Sequence, residues 1–297
     1  MSNSAKLSSE QAAAQAVHAD SSGVTMPCST IEPQNGWQLV DVRELWAYRD
    51  LLYFLVRRNV QVLYKQTVLG FAWAVIRPFL TMIIFSVVFG RLARVPSDGI
   101  PYPIFSYAAL VPWIYFATAM TQSTESLVTS ANLLTKVYFP RIMIPLTPVI
   151  AGLVDFVIAL VMLAILMVVF RIEPTLNVVF MPLLVILMVL TATGIGMWLS
   201  AMAIQYRDIK YAIHFLVQVL MYAAPVAWPA SLLPSRFRVI YGLYPMAGVI
   251  EGFRSALLGG TSMPWDLILP GTVVAIVLFV TGAVYFRSME RRFAGGV

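Results

Sequence analysis

Charge is scarce in this chain of 297 residues. Asp, Glu, Lys and Arg make up 11% of it, against about 25% in a soluble globular domain. Cysteine is scarcer still: Cys28 stands alone, which excludes an intrachain disulfide and a cysteine-clustered metal site. Histidine occurs twice, at His18 and His214, and no H-E-x-x-H pattern is present. The phosphate-cradling pattern G-x-x-x-x-G-K-[ST] is also missing. No nucleophile is arranged with a base, so no catalytic residue, metal site or bound cofactor is expected in this chain. What remains is hydrophobic: 60% of residues, with a mean hydropathy of +0.81. The 20 basic residues outnumber the 14 acidic ones, but they flank apolar runs and do not form one electropositive face. Nucleic acid is therefore not an expected partner. The composition is that of an all-α integral membrane protein.

The run Gly70 to Gly90 organises the rest. It is mostly apolar, broken by Arg77-Pro78, and long enough at 1.5 Å per residue to cross a bilayer core. Before it, residues 43–67 mix apolar and basic side chains at helical spacing, as in an amphipathic helix lying on the membrane surface. Residues 1–36, rich in Ser, Ala and Gln, lack a signal-peptide core and are expected to be disordered on the starting side.

Further spans are expected over 104–120, 145–170, 178–204, 212–228 and 266–286, giving six crossings with a tail at 287–297. Pro225 should interrupt the fifth. Between the second and third, residues 121–141 carry too many polar side chains to span. They are expected as one or two short helices, ended by Pro140. Residues 229–262, punctuated by prolines, suggest short re-entrant helices whose backbone ends need protein or water. Basic residues follow the same plan. Thirteen lie on the starting side and six on the far side, with Arg77 at a boundary, so both termini are expected in the cytoplasm.

Three polar residues stand inside the expected spans. Asp155 lies ten positions into the third, where a charge costs roughly 3 kcal/mol, so it should face protein, water or a partner group. Structural pairing and proton relay both remain open for it. His214 and Gln218 are one turn apart and could share a helix face, for interhelical hydrogen bonding or for proton transfer. Glu251 and Arg254, three apart, can pair locally. An aromatic belt accounts for many of the rings. Others, with Trp73, Phe79, Phe85, Tyr115 and Tyr222 as candidates, could line a path for a long amphipathic polymer.

Three segments carry a resemblance. Tyr64-Lys65-x-x-x-x-Gly70-x-x-Trp73-x-x-x-x-Pro78 follows the amphipathic helix. NLLTKVYFPR runs from Asn132 to Arg141, and PMAGVIEGFR from Pro245 to Arg254. Occurring in this order over about residues 40–290, they resemble the permease subunit of ABC-2 polysaccharide exporters, which serve O-antigen, capsule and teichoic acid. The chain departs from that pattern in its first 36 residues and at Tyr244, where members often place Asn.

The resemblance implies a type V exporter-like transmembrane domain over 37–290 in the bacterial inner membrane. It implies a homodimer coupled to two copies of a cytoplasmic ATPase, with ATP and Mg on that partner. The substrate would be a lipid-linked polysaccharide, O-antigen foremost, moved among membrane lipids. It makes 125–141 the coupling-helix region, with Asn132, Leu133, Leu134, Lys136, Val137, Tyr138 and Arg141 against the ATPase. It makes 229–262 a periplasmic gate that includes Tyr244, Pro245, Glu251 and Arg254. The competing expectations are a drug or lipid exporter of the same fold, and an uncoupled channel or scaffold.

Overall fold

The computed structural model describes residues 46–65, 72–130 and 139–294. Helix α1 (Arg49–Lys65) begins with Asp50 in its first turn and ends on Lys65, charges that suit the helix dipole. Its buried residue Leu55 joins a small core with Leu127, Met143, Met197 and Phe286, while Arg57 and Arg58 stay exposed. Helix α2 (Ala72–Phe85) passes into a π-helical turn, Ser86–Leu92. Helix α3 (Tyr102–Thr129) starts with Pro at its first turns, where the missing N–H is harmless. Helix α4 (Met143–Phe170) ends with Arg171 in the left-handed region. A 3-10 turn, Leu176–Phe180, leads into α5 (Met181–Gln205). The short helices α6 (Ile209–Ala223), α7 (Ser235–Gly242) and α8 (Pro245–Leu257) precede the long α9 (Trp265–Ala294).

Among the described residues, five helical stretches are long and apolar enough to cross a membrane: Ala72–Leu92, Tyr102–Thr129, Met143–Phe170, Leu176–Gln205 and Trp265–Glu290. Helix α3 is their hub. It packs against α2, α4, α5, α6 and α8, and its N-terminal part from Ile104 to Trp113 is buried. On the far side of α5, α9 crosses at backbone distance. A Cβ on Gly194 would stand 2.7 Å from the main chain of Leu278 and Phe279, so only glycine permits this approach.

Two expectations change. The second span and the polar segment after it are one helix up to Thr129. Its hydroxyls find partners without breaking the helix: Ser123 donates to the Pro145 carbonyl of α4, Thr124 to Met120 and Ser126 to Ser123. The fifth span is one helix only up to Ala223 and is interrupted at Pro225. α6 stops at Ala223 because Ala224, preceding Pro225, is pushed into extended geometry. Fifteen residues reach roughly 22 Å, short of a bilayer core. The residues expected as a tail from 287 continue α9 to Ala294. Glu251 and Arg254 are both buried.

Candidate functional site

Small residues draw α8 into the interior. With Pro245 at its first position, the helix places Gly248 where a Cβ would come within 2.9 Å of the Leu267 carbonyl oxygen. Gly252 sits where one would meet the Leu184 side chain at 2.8 Å. The helix therefore lies directly on α9 and α5, and every residue from Pro245 to Ala256 is buried.

That burial takes an ion pair with it. Arg254 Nη1 donates to Glu251 Oε1 at 2.8 Å, with the side chains 3% and 9% exposed. The remaining donors go to main chain. Nη2 reaches the Val226 carbonyl at 2.8 Å, Nη1 the Trp228 carbonyl at 3.3 Å, and Nε the Phe105 carbonyl at 3.3 Å. The guanidinium carbon lies 3.6 Å from the centre of the Phe105 ring. Glu251 Oε1 also accepts the Ala230 N–H at 3.0 Å. Burial opposes the charge on Arg254, and the adjoining carboxylate of Glu251 supports it. A guanidinium stays charged under such opposition, and its rigid fork suits several acceptors at once.

The extended connector left by the early end of α6 thus has its carbonyls bound, and so does the first turn of α3. The C-terminal end of α8 is tied as well. Thr175 donates to the Ser255 and Ala256 carbonyls, and Asn177 to the Ser255 hydroxyl. Tyr244, half-buried before α8, donates to the Leu220 carbonyl of α6 at 3.3 Å.

A second site opens between α2, α3 and α4, beneath the end of α1. This cleft, of about 280 Å³, is lined by Trp73, Arg77, Tyr115, Thr118, Gln122 and Asp155, with Leu63 and Tyr64 contributed from α1. The Tyr115 hydroxyl donates to the Val149 carbonyl at 2.9 Å, which fixes its ring against Phe156. Asp155 is half-buried, and its buried Oδ1 has no hydrogen-bond partner among the described residues.

Of the five candidate lining aromatics, the cleft brings together Trp73 and Tyr115. Phe79 and Phe85 pack from α2 against the core, and Tyr222 points out from α6. His214 and Gln218, both exposed, stand one turn apart on α6, and His214 Nε2 lies 3.3 Å from Glu125 Oε1 of α3. Sequence reasoning missed Glu125, for which the polar continuation of the second span was the available signal. It also missed Phe105 and the connector carbonyls, to which Pro225 was the pointer. Asn132, Leu133, Leu134, Lys136, Val137 and Tyr138 lie outside the described residues; Arg141 is half-buried in the turn before α4.

The family described as ABC-2 type transporter matches residues 50–258, which run from α1 through α8. Over 259 residues the chain is 28% identical to the O-antigen export system permease protein RfbA of Myxococcus xanthus, covering 86% of this chain and 98% of that protein. It is 28% identical over 246 residues to a protein of the same name from Klebsiella pneumoniae, covering 82% and 94%. To the polysialic acid transport protein KpsM of Escherichia coli it is 22% identical over 245 residues, covering 80% and 92%.

Proposed function

The chain belongs to the ABC-2 type transporter family, and from that membership we propose that it is the permease subunit of an ATP-driven exporter of lipid-linked polysaccharide, with O-antigen as the substrate. The observation that carries this reading is the extent of the similarity: it runs over 98% and 94% of two proteins named as O-antigen export permeases. Two copies of the chain would form the channel, each coupled to a cytoplasmic ATPase that holds the ATP and Mg. The outward faces of α2 and α6, with Ile84, Phe215 and Tyr222 exposed, flank the hub helix α3 and supply apolar surface for the second copy.

In this reading α6, the connector and the re-entrant α7 and α8 together complete a sixth crossing within a domain spanning 37–290. The bias of thirteen basic residues to six puts both termini in the cytoplasm of a bacterial inner membrane. Residues 125–141 would meet the ATPase, through Asn132 to Tyr138 and Arg141. Tyr244, Pro245, Glu251 and Arg254 would hold the exit gate on the periplasmic side. Phe79, Phe85 and Tyr222 remain proposed channel-lining rings, as do Trp73 and Tyr115. His214 and Glu125 would join α6 to α3 at the cytoplasmic end.

The test is deletion of the gene for this chain, with lipid-linked glycan followed on each side of the inner membrane. Intracellular accumulation with loss from the surface, reversed by restoring the chain, is expected. Restoration should also require an ATPase that co-purifies with it. Unchanged surface glycan would overturn the polysaccharide reading.

A further inference from the structure

We propose that the groove between α1, the end of α3 and the start of α4 is a lipid site. It fits a glycerophospholipid whose headgroup joins a phosphate to a primary ammonium, as in phosphatidylethanolamine. The site does not depend on what the exporter carries. The groove, of about 350 Å³, is lined by Arg58 and Asn59 of α1, by Glu125, Ser126 and Thr129 of α3, and by Thr147 of α4. Leu55 docks α1 into the small core beside Leu127 and Met143, which holds the walls of the groove together. Val62 and Leu63 stand exposed on α1 at the groove's edge, where acyl chains would lie along an interfacial helix.

The two walls differ in what they offer. The α1 wall supplies donors: the Asn59 amide nitrogen and the guanidinium of Arg58, which is exposed and forms no ion pair among the described residues. The opposite wall supplies acceptors. Ser126 already donates to the Ser123 carbonyl, Thr129 to the Glu125 carbonyl and Thr147 to the Met143 carbonyl, so these hydroxyls have only lone pairs left to offer. Glu125 adds a carboxylate. Its Oε1 lies 3.3 Å from His214 Nε2, but a carboxylate accepts from several donors at once. The groove also borders the last turn of α3, which ends at Thr129, and the carbonyl end of a helix favours a cation.

This division selects the occupant. A phosphate takes the donors of α1, and a primary ammonium brings three N–H donors to the acceptors of α3 and α4. The quaternary ammonium of phosphatidylcholine has no N–H to give. Phosphatidylglycerol offers hydroxyls, whose neutral hydrogen bonds are about half as strong as charge-assisted ones. A polyprenyl phosphate brings negative charge and nothing for Glu125.

The experiment uses the full-length chain in detergent micelles, with a phosphatidylethanolamine that carries a diazirine high on one acyl chain. Irradiation should label α1 and α3 along the groove. Unlabelled phosphatidylethanolamine should displace the label at several-fold lower concentration than phosphatidylcholine, phosphatidylglycerol or a polyprenyl phosphate. Glu125→Gln should remove the advantage over phosphatidylcholine, because both lipids keep the same phosphate contacts. Arg58→Gln should weaken both lipids several-fold and leave their ratio unchanged. His214→Ala, which keeps the carboxylate, should preserve the advantage.

Label spread evenly over the apolar helices overturns the proposal, as does phosphatidylglycerol or polyprenyl phosphate competing as well as phosphatidylethanolamine. A full advantage in Glu125→Gln, unchanged binding in Arg58→Gln, or a lost advantage in His214→Ala overturns it too. Should Glu125→Gln fail to assemble, Asn59→Trp, which fills the groove from α1, replaces it. Labelling there should then fall several-fold, and unchanged labelling is the overturning result.

Discussion

Helices α7 and α8 follow each other with two residues between them, yet they are held by different means. α8 is buried from Pro245 to Ala256, and its charge pair is spent on main chain from three directions. α7 leaves Phe237, Val239 and Ile240 exposed. Its ties include an ion pair from Arg238 Nε to Asp266 at 2.7 Å, about a third exposed, a hydrogen bond from Tyr241 to the Ala223 carbonyl, and, at its last residue, the buried Gly242 set against the main chain of Asp266 and Leu267. The comparison teaches that a proline-punctuated segment need not behave as one unit. α8 is a post fixed to α3, α5 and α9, whereas α7 is a leaf anchored at Gly242, with its outer face exposed. If this region gates an exit, motion belongs to α7 and reference to α8.

The largest effect is expected at the post. Arg254→Ala leaves Glu251 buried and strips donors from three carbonyls, which should destabilise the permease by about 3–5 kcal/mol. Loss of folded protein from membranes and a lowered unfolding temperature in detergent would register it. Arg254→Lys should recover only part of this loss, because a point charge cannot reproduce the fork over Phe105. Wild-type abundance and unfolding temperature in Arg254→Ala would show that α8 is not fixed by this pair.

Gly248→Ala comes next. The added Cβ meets main-chain atoms of Leu267 and Ile268 at about the 2.9–3.0 Å given by the structure, so α8 and α9 must part. Overpacking of this kind costs about 1–3 kcal/mol. Thermal unfolding in one detergent, run beside Arg254→Ala, would rank the two. A larger loss in Gly248→Ala than in Arg254→Ala would make packing, not the ion pair, the chief restraint on α8.

The smallest stability change is expected at the leaf. Arg238→Ala removes a partly exposed pair and should cost about 0–1 kcal/mol, with membrane abundance unchanged. If α7 is the moving part, a thiol introduced by Phe237→Cys should nevertheless label faster from the outer side in this background. Ion leakage through the reconstituted permease should rise with it. An unaltered labelling rate and a tight membrane would remove α7 from the gate.

Much of this architecture was legible because lipid imposes long apolar runs, and α2, α4 and α9 are written plainly in them. The end of α3 was not. Ser123, Thr124 and Ser126 count as polar in any hydropathy sum, but each satisfies its hydroxyl on a nearby carbonyl and leaves the helix intact. The depth of Arg254 was hidden for a related reason. Its acceptors are carbonyls of Phe105, Val226 and Trp228, between 26 and 149 residues away, and a main-chain carbonyl has no letter in a sequence. Asp155 was visible because a carboxylate inside an apolar run is conspicuous. The rings that surround it were visible as residues but not as neighbours.

The hub helix carries a consequence for how the chain is made. α3 is the most enclosed of the five long stretches, with 78% of its apolar window inside the protein, and it has the lowest mean hydropathy, 1.4. α4 has 3.0, with 28% enclosed. A helix like α4 can leave the translocon for lipid on its own account. α3 has less to gain from lipid and more from its neighbours, so its residence in the bilayer is conditional on α4 and α5, which are synthesised after it. Until they arrive, the centre of the molecule is its least committed part. A nascent chain ending before Met143 should therefore expose α3 to membrane quality control, although the finished protein hides that helix more thoroughly than any of the other four.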